Sequence, residues 1–138
     1  MHWSTYALLS AVFAALVAIF GKIGLKDIDS TLATTVRSIV MALFLVGVSL
    51  ALGKFSLLSN FDKKAVTFIV LSGVAGALSW LFYFFAIKVG KVSGVVAIDR
   101  TSIVFAVALA ILFLGEAFTW QKAIGAGLVS IGAILIAL

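Results

Sequence analysis

The chain has 138 residues, of which 64% are hydrophobic and 11% are charged, and its net charge is +5. Soluble domains are about 45–50% apolar and about 25% charged, so this composition excludes a water-soluble fold and indicates an integral membrane protein. No cysteine is present, which excludes disulfides, thiolate metal sites and thiol catalysis. The basic side chains stand at the ends of apolar segments, as anchors to lipid headgroups do, so we expect no nucleic-acid partner.

Five apolar segments are each long enough to cross the hydrocarbon core as a helix, which takes about 20 residues. They lack the period-two alternation of membrane β-barrel strands. The first segment lacks the basic start of a signal peptide, so we predict that it is retained. Residues that favour helix starts precede the other four, namely Asp29 and Ser30, Asn60 and Asp62, Ser93, and Thr119. We therefore predict an all-α integral membrane fold, a five-transmembrane-helix bundle forming one domain over residues 1–138, with helices at 3–20, 31–52, 65–87, 93–113 and 121–138.

The second and fourth helices carry charges inside the predicted membrane spans. Arg37 lies about 9 Å beyond Thr31, and Asp99 lies about 9 Å beyond Ser93, measured along the helix axis. Both helices enter the membrane from the same side, so the two charges lie at matched depth. An unpaired charge at that depth costs several kcal/mol, so we predict an ion pair between Arg37 and Asp99.

The third helix combines small residues with aromatic ones on a single face. Trp80, Tyr83 and Phe84 lie on this face, where they are placed to floor a cavity and to stack on an aromatic or cationic solute. Plain helix packing, with Tyr83 as an interfacial anchor, is the alternative interpretation.

Arg100 is about 100° around the helix from Asp99, so the two side chains do not share a partner face. Arg100 either extends to the headgroups or faces a watery cavity and attracts an anionic group. Asp99 is too short to reach the headgroups, which favours a role as a proton or cation site or as the partner of Arg37.

Glu116 follows the fourth helix at its far end. It serves either as an interfacial cap or, in an antiparallel dimer, as a salt-bridge partner for Arg37 and Arg100 of the second copy. In the fifth helix, Gly125 and Gly132 are seven residues apart on one stripe, and we interpret them as a helix contact surface.

The lysines at the membrane surfaces give almost no indication of which side of the chain faces the cytoplasm. Four lie on the side of the N-terminus and four on the other side, namely Lys54, Lys63, Lys64 and Lys122 against Lys22, Lys26, Lys88 and Lys91. Either one loop dominates the insertion, or the chain inserts both ways and pairs with an inverted copy of itself.

The residue inventory does not suggest an enzyme. His2 is the only histidine, and we find no HExxH motif, no paired metal ligands and no serine with a base beside it. A glycine-rich phosphate loop is also missing. We therefore expect no catalytic residue, no metal and no cofactor, and we expect any transport to be driven by a gradient.

The segment from Gly90 to Leu138 resembles the second half of an EamA domain of the drug/metabolite transporter superfamily. Its most specific part is Leu112-Phe-Leu-Gly-Glu116, followed by Thr119-Trp120 and by the pair Gly125 and Gly132. Arg37, Ala86 and Ser93 extend the likeness over essentially the whole chain. Many members have a proline just before the positions of Ile98 and Asp99, whereas this chain has Ala97 there and no proline at all, which removes the basis for a proline-made kink.

Most members of that family contain two EamA repeats, whereas this chain is a single repeat, similar to the five-helix bacterial and archaeal transporters. The resemblance implies one half of an inverted-repeat ten-helix transporter, completed by a second, inverted copy, with helices one, three and four lining a central cavity. We predict an antiparallel homodimer in the cytoplasmic membrane of a prokaryote that transports a small metabolite or drug-like solute by alternating access, with Asp99, Arg37 and Arg100 as its electrostatic elements. A non-transporting assembly or regulatory subunit is the alternative.

Overall fold

The computed structural model describes residues 2–138, apart from the side chains of Ser59 and Asn60. Within this range the chain forms helices and no β-strand: α1 (Trp3–Gly24), α2 (Ser30–Ala51), a 3₁₀ helix (Lys54–Asn60), α3 (Lys63–Val89), α4 (Val92–Asp99), α5 (Ser102–Leu114) and α6 (Trp120–Ala137). Five spans are long and apolar enough to cross a membrane, with α4 and α5 together forming the fourth. The all-helical fold and the five spans are confirmed.

Side chains just before the helices satisfy backbone N–H groups that the first turn leaves free. A carboxylate oxygen of Asp29 accepts hydrogen bonds from two backbone N–H groups at the start of α2, at 2.9 and 3.1 Å. Asp62 and Thr119 do the same, through one bond each, for α3 and α6. The prediction for Ser93 is wrong, because α4 begins at Val92 and no side chain caps its first turn.

The fourth span is interrupted between Asp99 and Ser102. The backbone N–H of Thr101 and its hydroxyl both donate to the carbonyl of Ile98, at 2.9 and 2.7 Å. These bonds reach back three residues instead of four, which tightens the chain into a 3₁₀-type turn. The fourth span, predicted at 93–113, is therefore made of two helices. The break needs no proline, because a threonine hydroxyl that bonds to a nearby carbonyl competes with the helical ladder.

The chain divides into two units, residues 2–22 with 89–138, and residues 23–88. In the first unit, α6 packs against α4 and α5. The approach of α4 to α6 is close, because a Cβ added at Gly94 would lie 3.5 Å from the Cα atom of Ala137. In the second unit, α2 contacts the 3₁₀ helix that follows it.

Most large apolar side chains of the spans are exposed in the single chain, for example Phe44, Phe82 and Phe113. The buried residues are few and mostly small, such as Ala126 and Ala133 in α6. Apolar surface of this kind is stable in a bilayer, where it contacts lipid tails or another transmembrane helix.

Candidate functional site

Arg37 of α2 stacks on Trp80 of α3, within the unit of residues 23–88. Its guanidinium carbon lies 3.7 Å from the centre of the Trp80 ring and 5.6 Å from the centre of the Phe84 ring. Both distances fall within the roughly 6 Å over which a cation is attracted to an aromatic face. The charge that the sequence places inside the second helix is therefore held by the third helix.

The three aromatic residues predicted on one face of α3 do form a cluster. The ring centres of Trp80 and Tyr83 are 5.3 Å apart and those of Trp80 and Phe84 are 6.0 Å apart, with interplanar angles of 78° and 63°. Such edge-to-face contacts are the favoured geometry for aromatic pairs. Phe84 is only 4% exposed, so the cluster is anchored on one side. Arg37 covers one face of the Trp80 ring, and a role of the cluster in binding a solute stays a prediction.

The stacked guanidinium belongs to the interior of the spans α2 and α3 and not to their ends. Arg37 lies about 10 Å along the axis from the start of α2, and Trp80 lies about 13 Å from the end of α3 at the same surface. Because the Arg37 side chain extends toward Trp80, it does not reach back to the headgroups as an exposed arginine would. Among the described atoms of residues 23–88, no oxygen accepts a hydrogen bond from the Arg37 nitrogens.

A groove of ≈440 Å³ runs beside α2 and is bounded by Ala77 and Leu81 of α3. The α2 residues that give it its polar character are Thr31, Thr34, Thr35 and Ser38. The hydroxyls of Thr34, Thr35 and Ser38 each donate to the carbonyl four residues earlier, at 2.7 to 2.9 Å. Their protons are therefore used by the backbone, and they offer lone pairs to whatever enters the groove.

The sequence interpretation missed this hydroxyl groove. The signal that reveals it is the spacing of hydroxyl residues by three or four positions at 31, 34, 35 and 38, which places them along one side of a helix. Arg37 is not among the residues that line the groove. The second unit thus presents two different chemistries on α2, a row of acceptors and a stacked cation.

Asp99 and Arg100 lie at the break in the fourth span, in the unit of residues 2–22 and 89–138. Asp99 is half-buried and Arg100 is exposed. Neither residue has an ion-pair partner within its own unit. Arg37 and Asp99 belong to different units, so the ion pair between them stays a prediction. Nowhere within residues 2–138 do three His, Asp or Glu side chains lie close enough to share a metal ion.

Glu116 forms an ion pair with Lys122 of the same chain at 2.7 Å. Lys122 also donates to the backbone carbonyl of Ala117, so it ties the turn between α5 and α6 together. Gly115 makes this turn possible, because its φ of 68° lies in the left-handed region that other residues rarely adopt. This geometry fits the interfacial role of Glu116, and its salt bridge to a second copy stays a prediction.

Gly125 and Gly132 remain open on the surface of α6. A Cβ added at either position would meet no atom within 4 Å. The buried residues of α6 are their neighbours Ala126 and Ala133. The contact surface within this chain is therefore displaced by one residue from the glycine stripe, and the glycines stay accessible to another helix.

The first unit also contains an apolar groove of ≈540 Å³ between α5 and α6, lined by residues such as Val104, Ile111, Phe118 and Ala123. No charged or hydroxyl side chain lines it. Its chemistry suits a lipid tail or a helix rather than a polar solute.

The comparisons with known proteins cover nearly the whole chain. The model of the EamA-like transporter family matches residues 1–138. A protein of Sinorhizobium sp., named an uncharacterized transporter in the cobO 3' region, is 38% identical over 135 residues, which are 98% of this chain and 96% of that protein. An uncharacterized protein of Methanocaldococcus jannaschii is 30% identical over 133 residues, 95% of this chain and 93% of the relative. No solved structure matches the chain.

Proposed function

Since this chain belongs to the EamA-like transporter family, we propose that it carries a small metabolite or drug-like solute across the membrane as a gradient-driven secondary transporter. Transport across a membrane in general follows from the family and agrees with the name of the Sinorhizobium relative. The chain is a multi-pass membrane protein. The proposal adds the class of solute, the driving force and the cytoplasmic membrane of a prokaryote as the location.

The stacking of Arg37 on Trp80 is the observation that supports this proposal most directly. A charged side chain inside a membrane span is costly, and such residues usually mark the path of a substrate or an ion. Helix packing alone needs no charge at this position, because an apolar side chain would fill the same space at lower cost.

The broken fourth span supplies the second element of the proposal. Transporter sites are commonly formed where a membrane helix is interrupted, because the interruption frees backbone groups and charged side chains to face a cavity. Asp99 and Arg100 lie at such an interruption. We assign Asp99 to the coupling of a proton or cation and Arg100 to the attraction of the solute.

We further propose that two copies, inserted in opposite directions, form the complete transporter. Two features support an inverted pair: the balance of the surface lysines, and the stripe of Gly125 and Gly132, which has room for a second helix. A single domain of five spans then contributes half of a ten-helix assembly, with its site near the middle of the membrane.

The proposal is tested by uptake into liposomes that contain the purified protein. A panel of labelled metabolites is offered with an imposed proton gradient or membrane potential. We expect gradient-dependent uptake of at least one solute, lost in Asp99→Asn and Arg37→Gln, and kept in the control Asp27→Asn, which removes a charge from the exposed loop before α2 and leaves the lysine balance unchanged. Gel filtration checks that each variant is folded. If a broad panel gives no uptake with the unmodified protein, the chain is a non-transporting assembly or regulatory subunit.

A further inference from the structure

The group that lies on the face of the Trp80 ring determines which solutes the aromatic cluster can bind. Sequence spacing alone suggests that Trp80, Tyr83 and Phe84 stack on an aromatic or cationic solute. In the structure, the face of Trp80 is already covered by the guanidinium of Arg37 at 3.7 Å. A cationic solute at this position would have to displace an arginine of the protein and would meet its charge, so the cluster does not serve as a cation site.

The stacked guanidinium offers hydrogen-bond donors at its edge. An arginine carries five N–H donors in one plane, and stacking on a ring uses the face of that plane and leaves its edge free. In the described part of residues 23–88, none of these donors meets an acceptor. N–H groups of a charged side chain inside a membrane span are costly when they lack an acceptor, so the site favours a ligand that brings one.

The planar edge of a guanidinium matches a carboxylate or phosphate group, which accepts two parallel hydrogen bonds. The headgroups of the bilayer are a second source of such oxygens. Trp80 lies about 13 Å along α3 from the end of that helix, within a segment that is long and apolar enough to span a membrane, whereas headgroup phosphates are expected near the helix ends. A small solute that enters from water is therefore the better source of the anion.

From this geometry we propose that Arg37, held flat by Trp80, binds the carboxylate or phosphate group of an anionic solute, and that the site excludes organic cations. The inference rests on the proposed transport function, because it names the class of solute that this function moves. Trp80 and Phe84 act as positioning residues that fix the plane of the guanidinium. Arg37 alone makes the contact with the solute.

Trp80 itself reports binding at this site. The other two tryptophans, Trp3 and Trp120, are exposed and lie outside the cluster. The double variant Trp3→Phe, Trp120→Phe therefore leaves Trp80 as the only source of tryptophan fluorescence. This protein is titrated with benzoate, inorganic phosphate and tetraethylammonium in a detergent without phosphate. We expect a saturable change in Trp80 emission with benzoate or phosphate and none with tetraethylammonium.

Matched variants separate recognition from overall charge. In Arg37→Gln the affinity for the anion should fall by about 10- to 100-fold, the loss expected for a charge-assisted contact. Arg37→Lys keeps the charge but loses the planar edge, so its affinity should lie between those of Arg37→Gln and the unmodified protein. The control Lys26→Gln removes a charge away from the cluster and should bind as the unmodified protein does.

Four results would overturn the inference. The first two are a saturable response to tetraethylammonium and an anion response that is unchanged in Arg37→Gln. The third is an emission change caused by phosphatidylglycerol that neither soluble anion reverses. The fourth is an anion response that appears only in Asp99→Asn. The last result would identify Asp99 as the acceptor for Arg37. Uptake of a neutral or cationic solute in the liposome assay would leave the transport function standing while removing this inference. Anion binding without any uptake would support the anion site and contradict the transport function.

Discussion

The guanidinium of Arg37 lies 3.7 Å from the centre of the Trp80 ring, which joins α2 to α3 through a charge and an aromatic face. The contact places the positive charge against an aromatic face. The guanidinium keeps the hydrogen-bond donors at its edge, and one face of the Trp80 ring is occupied.

The strength of this contact is measurable by a double-mutant cycle. We compare Arg37→Met, Trp80→Leu and the double variant by unfolding in mixed micelles. A cation–aromatic contact out of bulk water contributes about 1–2 kcal/mol, so the two single losses should exceed the double loss by that amount. The control pair is Arg37→Met with Trp120→Leu, an exposed tryptophan at the start of α6, and it should show no coupling. Equal coupling in both pairs would contradict the assignment.

Asp29 should make the stability of α2 depend on acid pH. Its pKa is lowered from the ordinary value, chiefly because the carboxylate accepts the backbone N–H of Leu32, with further hydrogen bonds from Thr31 and the charge of Lys88. Lys88 donates to the carbonyl of Ile28 at 2.8 Å, which keeps its charge beside this cap. Because the folded pKa lies below the unfolded one, the stabilisation is fully present above about pH 4 and is lost as the pH falls through the folded value.

The measurement is the unfolding midpoint between pH 3 and pH 7. We expect the unmodified protein to lose stability at the acid end of this range. Asp29→Asn should remove much of that dependence while keeping most of the stability at pH 7, because asparagine is also a good cap. Asp27→Asn, in the same loop, is the matched control and should keep the acid dependence. The same pH profile for Asp29→Asn and the unmodified protein would refute the role of the cap.

Local features of the fold follow from the sequence. The five spans follow from hydrophobic length, and the caps at Asp29, Asp62 and Thr119 follow from the chemistry of a first helical turn. The clustering of Trp80 with its aromatic neighbours is also local, because spacings of three and four residues place side chains on one helix face whatever surrounds the helix.

Contacts between helices did not follow from the sequence in the same way. Charge and depth favour Asp99 as the partner of Arg37, and that ion pair stays a prediction. The contact with Trp80 was not predicted, because an aromatic face attracts a guanidinium without any opposite charge. The break at Thr101 escaped prediction for a related reason. Thr67 in α3 also bonds back to a carbonyl, yet its helix continues, so the residue type alone does not reveal an interruption.

The hydroxyl of Thr101 is expected to matter for transport more than for stability. Thr101→Val removes the 2.7 Å hydrogen bond to the carbonyl of Ile98 and favours a continuous helix through Asp99 and Arg100. The rate of uptake in liposomes should then fall, because the break no longer presents these charges or flexes during the cycle. The unfolding free energy should change by less than about 1 kcal/mol, since only one hydrogen bond is lost.

Thr67→Val is the matched control for this prediction. Thr67 makes the same kind of bond, to the carbonyl of Lys63 at 2.8 Å, inside a helix that is not interrupted. It should leave the uptake rate unchanged. Equal uptake in Thr101→Val and Thr67→Val would show that the threonine hydroxyl at the break has no part in transport.

The balanced lysines predict that the chain inserts in both orientations. Because the sequence has no cysteine, single substitutions report orientation cleanly. Ser56→Cys lies in the link between α2 and α3, and Ser93→Cys lies near the start of α4, on the opposite side of the membrane. With an impermeant thiol reagent on intact cells, about half of each variant should be labelled, and the remainder should react after the cells are opened.

Adding Leu57→Lys to Ser93→Cys places a positive charge in the link between α2 and α3, which should draw that side to the cytoplasm and raise the labelling of Ser93→Cys toward completion. Complete labelling of one site and none of the other in the unbiased chain would mean a single orientation, and it would exclude the antiparallel homodimer.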